Sequence, residues 1–144
     1  MTSLEVEKEI RIDINGIELL GYIDTIDDKN NVRDFKTAGK SKNESELNGS
    51  LQMAIYSIAY ETLYEKMPDK IIYDVLISTK KPKYQKLELP PARNTYSRVH
   101  AVVEEVQRAI KAGVFLPAAE GSWACSPRFC GYYNTCKFTQ NKVF

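Results

Sequence analysis

Apolar and charged residues alternate with period two from Leu4 to Ile14: Leu4, Val6, Ile10, Ile12 and Ile14 share one face, and Lys8 interrupts the set. That period is the mark of a strand with one buried face. Asn15-Gly16 follows, a pair that tolerates the positive φ of a type I′ turn and so predicts a tight hairpin. The returning strand is predicted over residues 17 to 26. A polar turn at Asp27-Asp28-Lys29-Asn30-Asn31 leads to a third strand from Val32 to Thr37, completing a meander. From Gly39 to Gly49 the chain is polar and reads as a loop. The period then changes to threes and fours: Leu47, Leu51, Ala54, Ile55, Ile58, Ala59 and Thr62 predict a helix from about Glu46 to Glu65, with Pro68-Asp69 beyond its end. Two more strands, Ile71 to Thr79 and Tyr84 to Leu89, flank the turn Lys80-Lys81-Pro82-Lys83. After Pro90-Pro91, Asn94 or Thr95 is placed to cap a second helix running to about Ala112. Val99, Val102, Val103, Val106, Ala109 and Ile110 are its expected buried stripe, and Gly113 its stop. The order is βββ-α-ββ-α plus a cysteine-bearing tail over about residues 122–138. This predicts one α/β (α+β) domain over residues 1–144, with a mixed central sheet flanked by helices.

Composition agrees with one compact domain: 144 residues, 43% hydrophobic and 27% charged. No apolar run reaches the roughly 18 residues of a membrane span, and no basic n-region precedes an apolar stretch at the N-terminus, so a cytoplasmic location is expected. The net charge of +1 conceals an asymmetry: residues 1–34 carry four basic and nine acidic side chains, and residues 35–144 carry sixteen and ten. An acidic first third beside a basic remainder suits metal ions held against a phosphate backbone, and equally suits scattered solvated charge.

The candidate chemistry lies on the second and third strands. Asp34 and Lys36 point to one side of their strand and Phe35 to the other, while the short turn brings Asp24 alongside Asp34. Two carboxylates and an ammonium at a hairpin end could hold Mg²⁺ or Mn²⁺ and act on an attacking water; an isolated Asp-x-Lys would more commonly be a surface salt bridge. Gln52 and Tyr56, i and i+4 on the first helix, flank its apolar stripe. Cys125, Cys130 and Cys136 are too few and too odd in number for a disulfide framework, and their clustering suggests metal ligation. His100 lies well off the second helix's stripe and is a poor fourth ligand. Lys80, Lys81, Lys83 and Lys86 form a basic turn that could contact phosphates or simply be solvated, and Trp123, Phe129, Tyr132 and Tyr133 could stack on bases or pack the tail.

These motifs together resemble the RecB-like branch of the PD-(D/E)XK nuclease superfamily, over about residues 17 to 138. Gly21-Tyr22-Ile23-Asp24 resembles its Gly-x-Ile/Val-Asp element, Asp34-Phe35-Lys36-Thr37 its Asp-Tyr-Lys-Thr core, and Gln52 with Tyr56 its Gln-x-x-x-Tyr motif. The resemblance implies a restriction-endonuclease-like fold and a metal-dependent DNA nuclease, with exonuclease action favoured. Asp24, Asp34 and the Phe35 backbone carbonyl would be metal ligands, Lys36 the catalytic lysine, and Gln52 and Tyr56 would position substrate. The three cysteines resemble those that hold a [4Fe-4S] cluster in such nucleases, with zinc the lesser possibility; the fourth cysteine would come from upstream. The family also opens with a helix bearing His or Glu, for which Glu7, Glu9 or Glu18 would have to stand in, so the chain is expected to be a C-terminal portion of a larger nuclease. DNA is the implied partner, with a helicase or recombination protein beside it. Two other readings stand beside this one: a non-catalytic DNA-binding or clamp module of the same fold, and a structural metal-binding domain in which only the cysteines matter.

Overall fold

The structure, a computed structural model, describes residues 2–48, 50–119 and 121–140. The expected loop residue Gly49 and the side chain of Leu47 lie outside the described residues. The chain divides into two compact units, Met1–Gln107 and Arg108–Phe144.

The first unit is built on a five-stranded sheet in sequence order: β1 (Ser3–Ile14), β2 (Ile17–Asp27), β3 (Val32–Ala38), β4 (Ile71–Ile77) and β5 (Lys83–Leu89). The β3–β4 pair is parallel and the others are antiparallel. A parallel pair needs a crossover, and residues 39–70 supply it. The expected turn closes the β1–β2 hairpin, with Asn15 at φ 53° and Gly16 at φ 80°. Ile23 and Ile26 of β2 are both buried. The β1–β2 register shifts between Ser3 and Glu5, and Glu7 of β1 takes φ 48°. β4, between β3 and β5, is buried on both faces but for Leu76.

The predicted first helix is broken in two. A single turn, α1 (Glu44–Leu47), precedes the helix proper, α2 (Leu51–Tyr64), whose N-cap is Ser50. Its buried face is also rotated from the expected stripe. Met53, Tyr56, Ser57 and Tyr60 are buried along with Ala54, Ile58 and Ala59, whereas Leu51 and Ile55 are only half-buried and Thr62 is exposed. The helix packs against β1 on one side and against the 3₁₀ turn Arg93–Thr95 on another, so polar residues of suitable shape become core residues. Ser57 meets that demand by donating its hydroxyl to the Met53 carbonyl at 2.9 Å.

α3 (Tyr96–Lys111) starts just after the 3₁₀ turn, where Thr95 Oγ1 donates to the Ala92 carbonyl rather than capping the helix as expected. Its expected stripe is only partly buried. Val99 is in the core, Val102 and Val103 are half-buried, and Val106 and Ile110 are exposed. A continuous apolar face in sequence therefore meets a neighbour only over its first turns. In the second unit Gly113 ends the helix at φ 67°, and the N–H groups of Gly113 and Val114 return to the Ile110 and Ala109 carbonyls. The tail is a chain of turns closed by the N–H groups of Cys125, Cys130 and Cys136, followed by α4 (Lys137–Gln140). Among the described residues no helix is long and apolar enough to cross a membrane.

Candidate active site

β2 and β3 pair through only Thr25–Arg33 and Ile26–Val32. Past Arg33 the strands part, and a side chain takes over from the ladder: Asp24 Oδ2 accepts the Phe35 backbone N–H at 2.8 Å. The parting creates a wedge at the middle of the sheet, and Asp34 and Lys36 project from β3 on the side covered by α2, the face that also carries Val32.

Asp34 is 1% exposed. Its Oδ1 accepts from Gln52 Nε2 at 3.1 Å and, more weakly, from the Tyr56 hydroxyl at 3.4 Å. Gln52 Nε2 also donates to the Tyr56 hydroxyl oxygen at 2.9 Å, locking the two helix residues together. Oδ2 is different. It is buried and is met by the Lys36 ammonium at 2.6 Å. Burial raises the Asp34 carboxyl above its ordinary range; contact with Lys36 opposes this, and the charge of Asp24 adds to it. Burial, followed by the Asp34 charge, lifts the Tyr56 hydroxyl to about 12, so it remains a donor at neutral pH.

Tyr73 belongs to the same site, although no motif points to it. It is the β4 residue registered against Asp34. Its ring centre lies 5.9 Å from the Lys36 ammonium, and its hydroxyl bonds with Ser50 at the start of α2. The only sequence signal for it was strand period, which cannot say which residue of one strand faces which of another. The acidic stand-ins fare otherwise. Glu9 and Glu18 are both paired with Arg11 and exposed, and Glu7 is an exposed residue of β1.

The donor set fits a hard divalent cation. Mg²⁺ or Mn²⁺ accepts a site of one or two carboxylates and keeps several waters, and Asp34 Oδ2, buried and met only by the Lys36 ammonium, is a ligand atom of the right kind. The three cysteines are not gathered into a ligand set among the described residues. All three are free thiols, Cys125 exposed and the others half-buried. Among the described residues no three His, Cys, Asp or Glu side chains are gathered as iron–sulfur or structural zinc sites require. Trp123 meets Phe129 edge to face at 5.1 Å, and both remain exposed.

A mixed sheet with two parting strands, a buried aspartate and a lysine one residue beyond its neighbour defines a class of phosphodiester-cleaving cores. The chain belongs to the PD-(D/E)XK nuclease superfamily, whose sequence profile matches residues 1–137. Nucleases of this superfamily typically use a divalent metal. Among solved structures, the chain is similar in fold to a protein from Eubacterium rectale described as a candidate exonuclease, with TM-score 0.62 at 11% identity over 97% of this chain and 53% of that one. It is also similar to SSO0001, with TM-score 0.50 at 19% identity over 94% of this chain and 60% of that one. The chain thus spans between half and two-thirds of the length of these structures. No curated protein matches it in sequence.

Proposed function

We propose that this chain carries the core of a RecB-like, Mg²⁺- or Mn²⁺-dependent deoxyribonuclease that acts as an exonuclease. The observation that carries the reading is the buried Oδ2 of Asp34, met by Lys36 and set beside Asp24. The description of the Eubacterium rectale protein favours exonuclease action, and the Gln52–Tyr56 pair favours the RecB-like branch.

Asp24, Asp34 and the Phe35 carbonyl would hold the metal, which supplies positive charge to offset that developing on the phosphoryl oxygens. The chain's own residues do the rest. Gln52 and Tyr56 take Oδ1 of Asp34 and so hold the carboxylate with Oδ2 turned to Lys36. Phe35 N–H orients the Asp24 carboxylate. Lys36, 40% exposed at its side chain, can reach outward to orient an attacking water and stabilise the phosphorane-like transition state. The water oxygen bonds to phosphorus as the bond to the 3′-oxygen breaks, and the departing oxygen takes up a proton. The test pairs two measurements. Calorimetric titration with Mn²⁺ should show one class of site in the wild type, lost in Asp34→Asn. End-labelled DNA should be shortened by the wild type with Mg²⁺ and left intact by Lys36→Ala. Equal Mn²⁺ binding by both proteins defeats the site; metal binding without cleavage leaves a non-catalytic module of the same fold.

A further inference from the structure

The sheet face opposite Asp34 is open where β3, β4 and β5 adjoin. At its centre Phe35, Leu76 and Tyr84 line an open depression of about 560 Å³, with Lys36 at its rim. They are 55%, 52% and 62% exposed, high values for large apolar side chains on adjacent strands. Tyr84 is registered against Leu76, and Leu76 against Thr37, so the apolar surface crosses three strands.

The ring of Tyr84 is exposed but anchored. Its hydroxyl bonds to Asp74, and Asp74 is held by Arg33 through two contacts, at 2.8 Å from Nε and 2.6 Å from Nη2. Arg33 also reaches Asp27 at 3.3 Å, and all three charged residues are buried. A buried ion pair contributes little net stability against apolar residues of the same volume; here its visible result is an exposed aromatic ring tethered through its hydroxyl.

Buried Asp74, paired with Arg33, also lines the depression, and the exposed charge beside it is basic. No Asp or Glu occurs from Phe35 to Asn43 or from Val75 to Leu87, stretches that contain Lys36, Lys40, Lys42, Lys80, Lys81, Lys83 and Lys86. The fold joins the two stretches: Gln85 donates to the Lys42 carbonyl at 2.7 Å and accepts the Lys42 N–H at 2.9 Å, so the loop after β3 is clamped to β5. Lys80, Lys81 and Lys83 are exposed, and among the described residues none of them meets a carboxylate.

We infer that this face binds single-stranded DNA, with bases stacked on Tyr84 and Phe35 and phosphates along the Lys80–Lys83 turn. Fixed aromatic faces beside lysines are the arrangement that takes unpaired bases without sequence preference, whereas a duplex hides those bases. Lys36 lines the depression and also meets Asp34, so the surface borders the proposed site; the inference deepens the nuclease reading and rests on it for the chemistry but not for the binding.

Fluorescence anisotropy with a labelled 20-nucleotide single strand and the matching duplex, in EDTA, separates the two. The wild-type chain should bind the single strand more tightly than the duplex. Tyr84→Ala should weaken that binding about fivefold or more, while Tyr84→Phe, which keeps the ring, should stay within about twofold. Replacing Lys80, Lys81 and Lys83 together by Ala should lower the salt slope of log K by about 2. Circular dichroism checks that each variant is folded. Wild-type binding by Tyr84→Ala and the lysine variant, a loss in Tyr84→Phe equal to that in Tyr84→Ala, or a duplex bound as tightly as the single strand overturns the inference and leaves the face to a protein. Tyr84-dependent binding without cleavage in Mg²⁺ would instead defeat the nuclease reading and leave this surface standing.

Discussion

At Asp34 the two carboxylate oxygens divide their work. Oδ1 is taken by Gln52 and Tyr56, and Oδ2 is turned to Lys36. Groups that hold a metal ligand from behind fix its direction and basicity, and losing one typically costs about 10- to 100-fold in metal affinity. Tyr56→Phe is therefore expected to raise the Mn²⁺ Kd at least about tenfold while the helix stays folded, because only the hydroxyl is lost. Calorimetry of the variant gives the comparison; an unchanged Kd would make Tyr56 a packing residue. Lys36→Ala belongs to the same scale with the opposite split. Its ammonium acts on the transition state in the proposed scheme, so cleavage should fall by roughly 100-fold or more with DNA affinity nearly unchanged.

Elements are held in place by a second set of charges. Asp27 closes the β2–β3 turn by accepting from the N–H groups of Lys29 and Asn31 and from the Asn31 side chain, and Arg33 ties it to Asp74 on β4. Burial alone would raise the Asp27 carboxyl, but these hydrogen bonds outweigh it and its pKa lies below the ordinary value. A lowered folded pKa means stability that is fully present above the unfolded value of about 3.9 and lost as pH falls further, through the folded pKa. Urea unfolding should show the wild type losing stability more steeply below about pH 4 than Asp27→Asn, which lacks this titration but starts less stable at pH 7. Removing Arg33 leaves Asp74 buried without its counter-ion, and Arg33→Met should cost about 3–5 kcal/mol at neutral pH. Along α3 the energetics change from turn to turn. Val99→Ala removes buried methyl groups at a cost of about 2 kcal/mol, whereas Val106→Lys and Ile110→Lys should shift stability by less than about 0.5 kcal/mol. A large loss in either lysine variant would show that their half of the stripe is covered.

For the whole molecule, the site is a cost to the fold until it is filled: two carboxylates sit close together and one is deeply buried, so folding without a cation places Asp34 at a raised pKa. An ion that binds only the folded chain stabilises it by about 2.7 kcal/mol at one hundred times its Kd. Mn²⁺ should accordingly raise the Tm of the wild type and leave that of Asp34→Asn where it was, and scanning calorimetry with and without Mn²⁺ reads both. The same scale explains the charge asymmetry. The acidic first third contributes Asp24, Asp27 and Asp34, and the basic remainder contributes the lysines beside the open sheet face, so one fold sets the two signs side by side.

What the sequence determined by itself is what short stretches of chain can decide. Asn15-Gly16 sets the hairpin because its backbone accepts positive φ; the period of two places Asp34 with Lys36 and Phe35 opposite; Gly113 ends α3. The order of elements follows from the same local periods, and the three short motifs were enough to indicate the superfamily. Tertiary structure alone decided which faces were covered and which side chains met. The parting of β2 from β3 lets the Asp24 carboxylate take the Phe35 N–H, and β-strand register brings Tyr73 under Lys36. The docking of α2 rotates its buried face and aims Gln52 and Tyr56 at one oxygen of Asp34. The stripe of α3 was legible as apolar but not as half exposed. Periodicity reports the side a residue takes on its own element, whereas burial depends on whether another element arrives there, and that is settled by contacts between residues far apart in the chain.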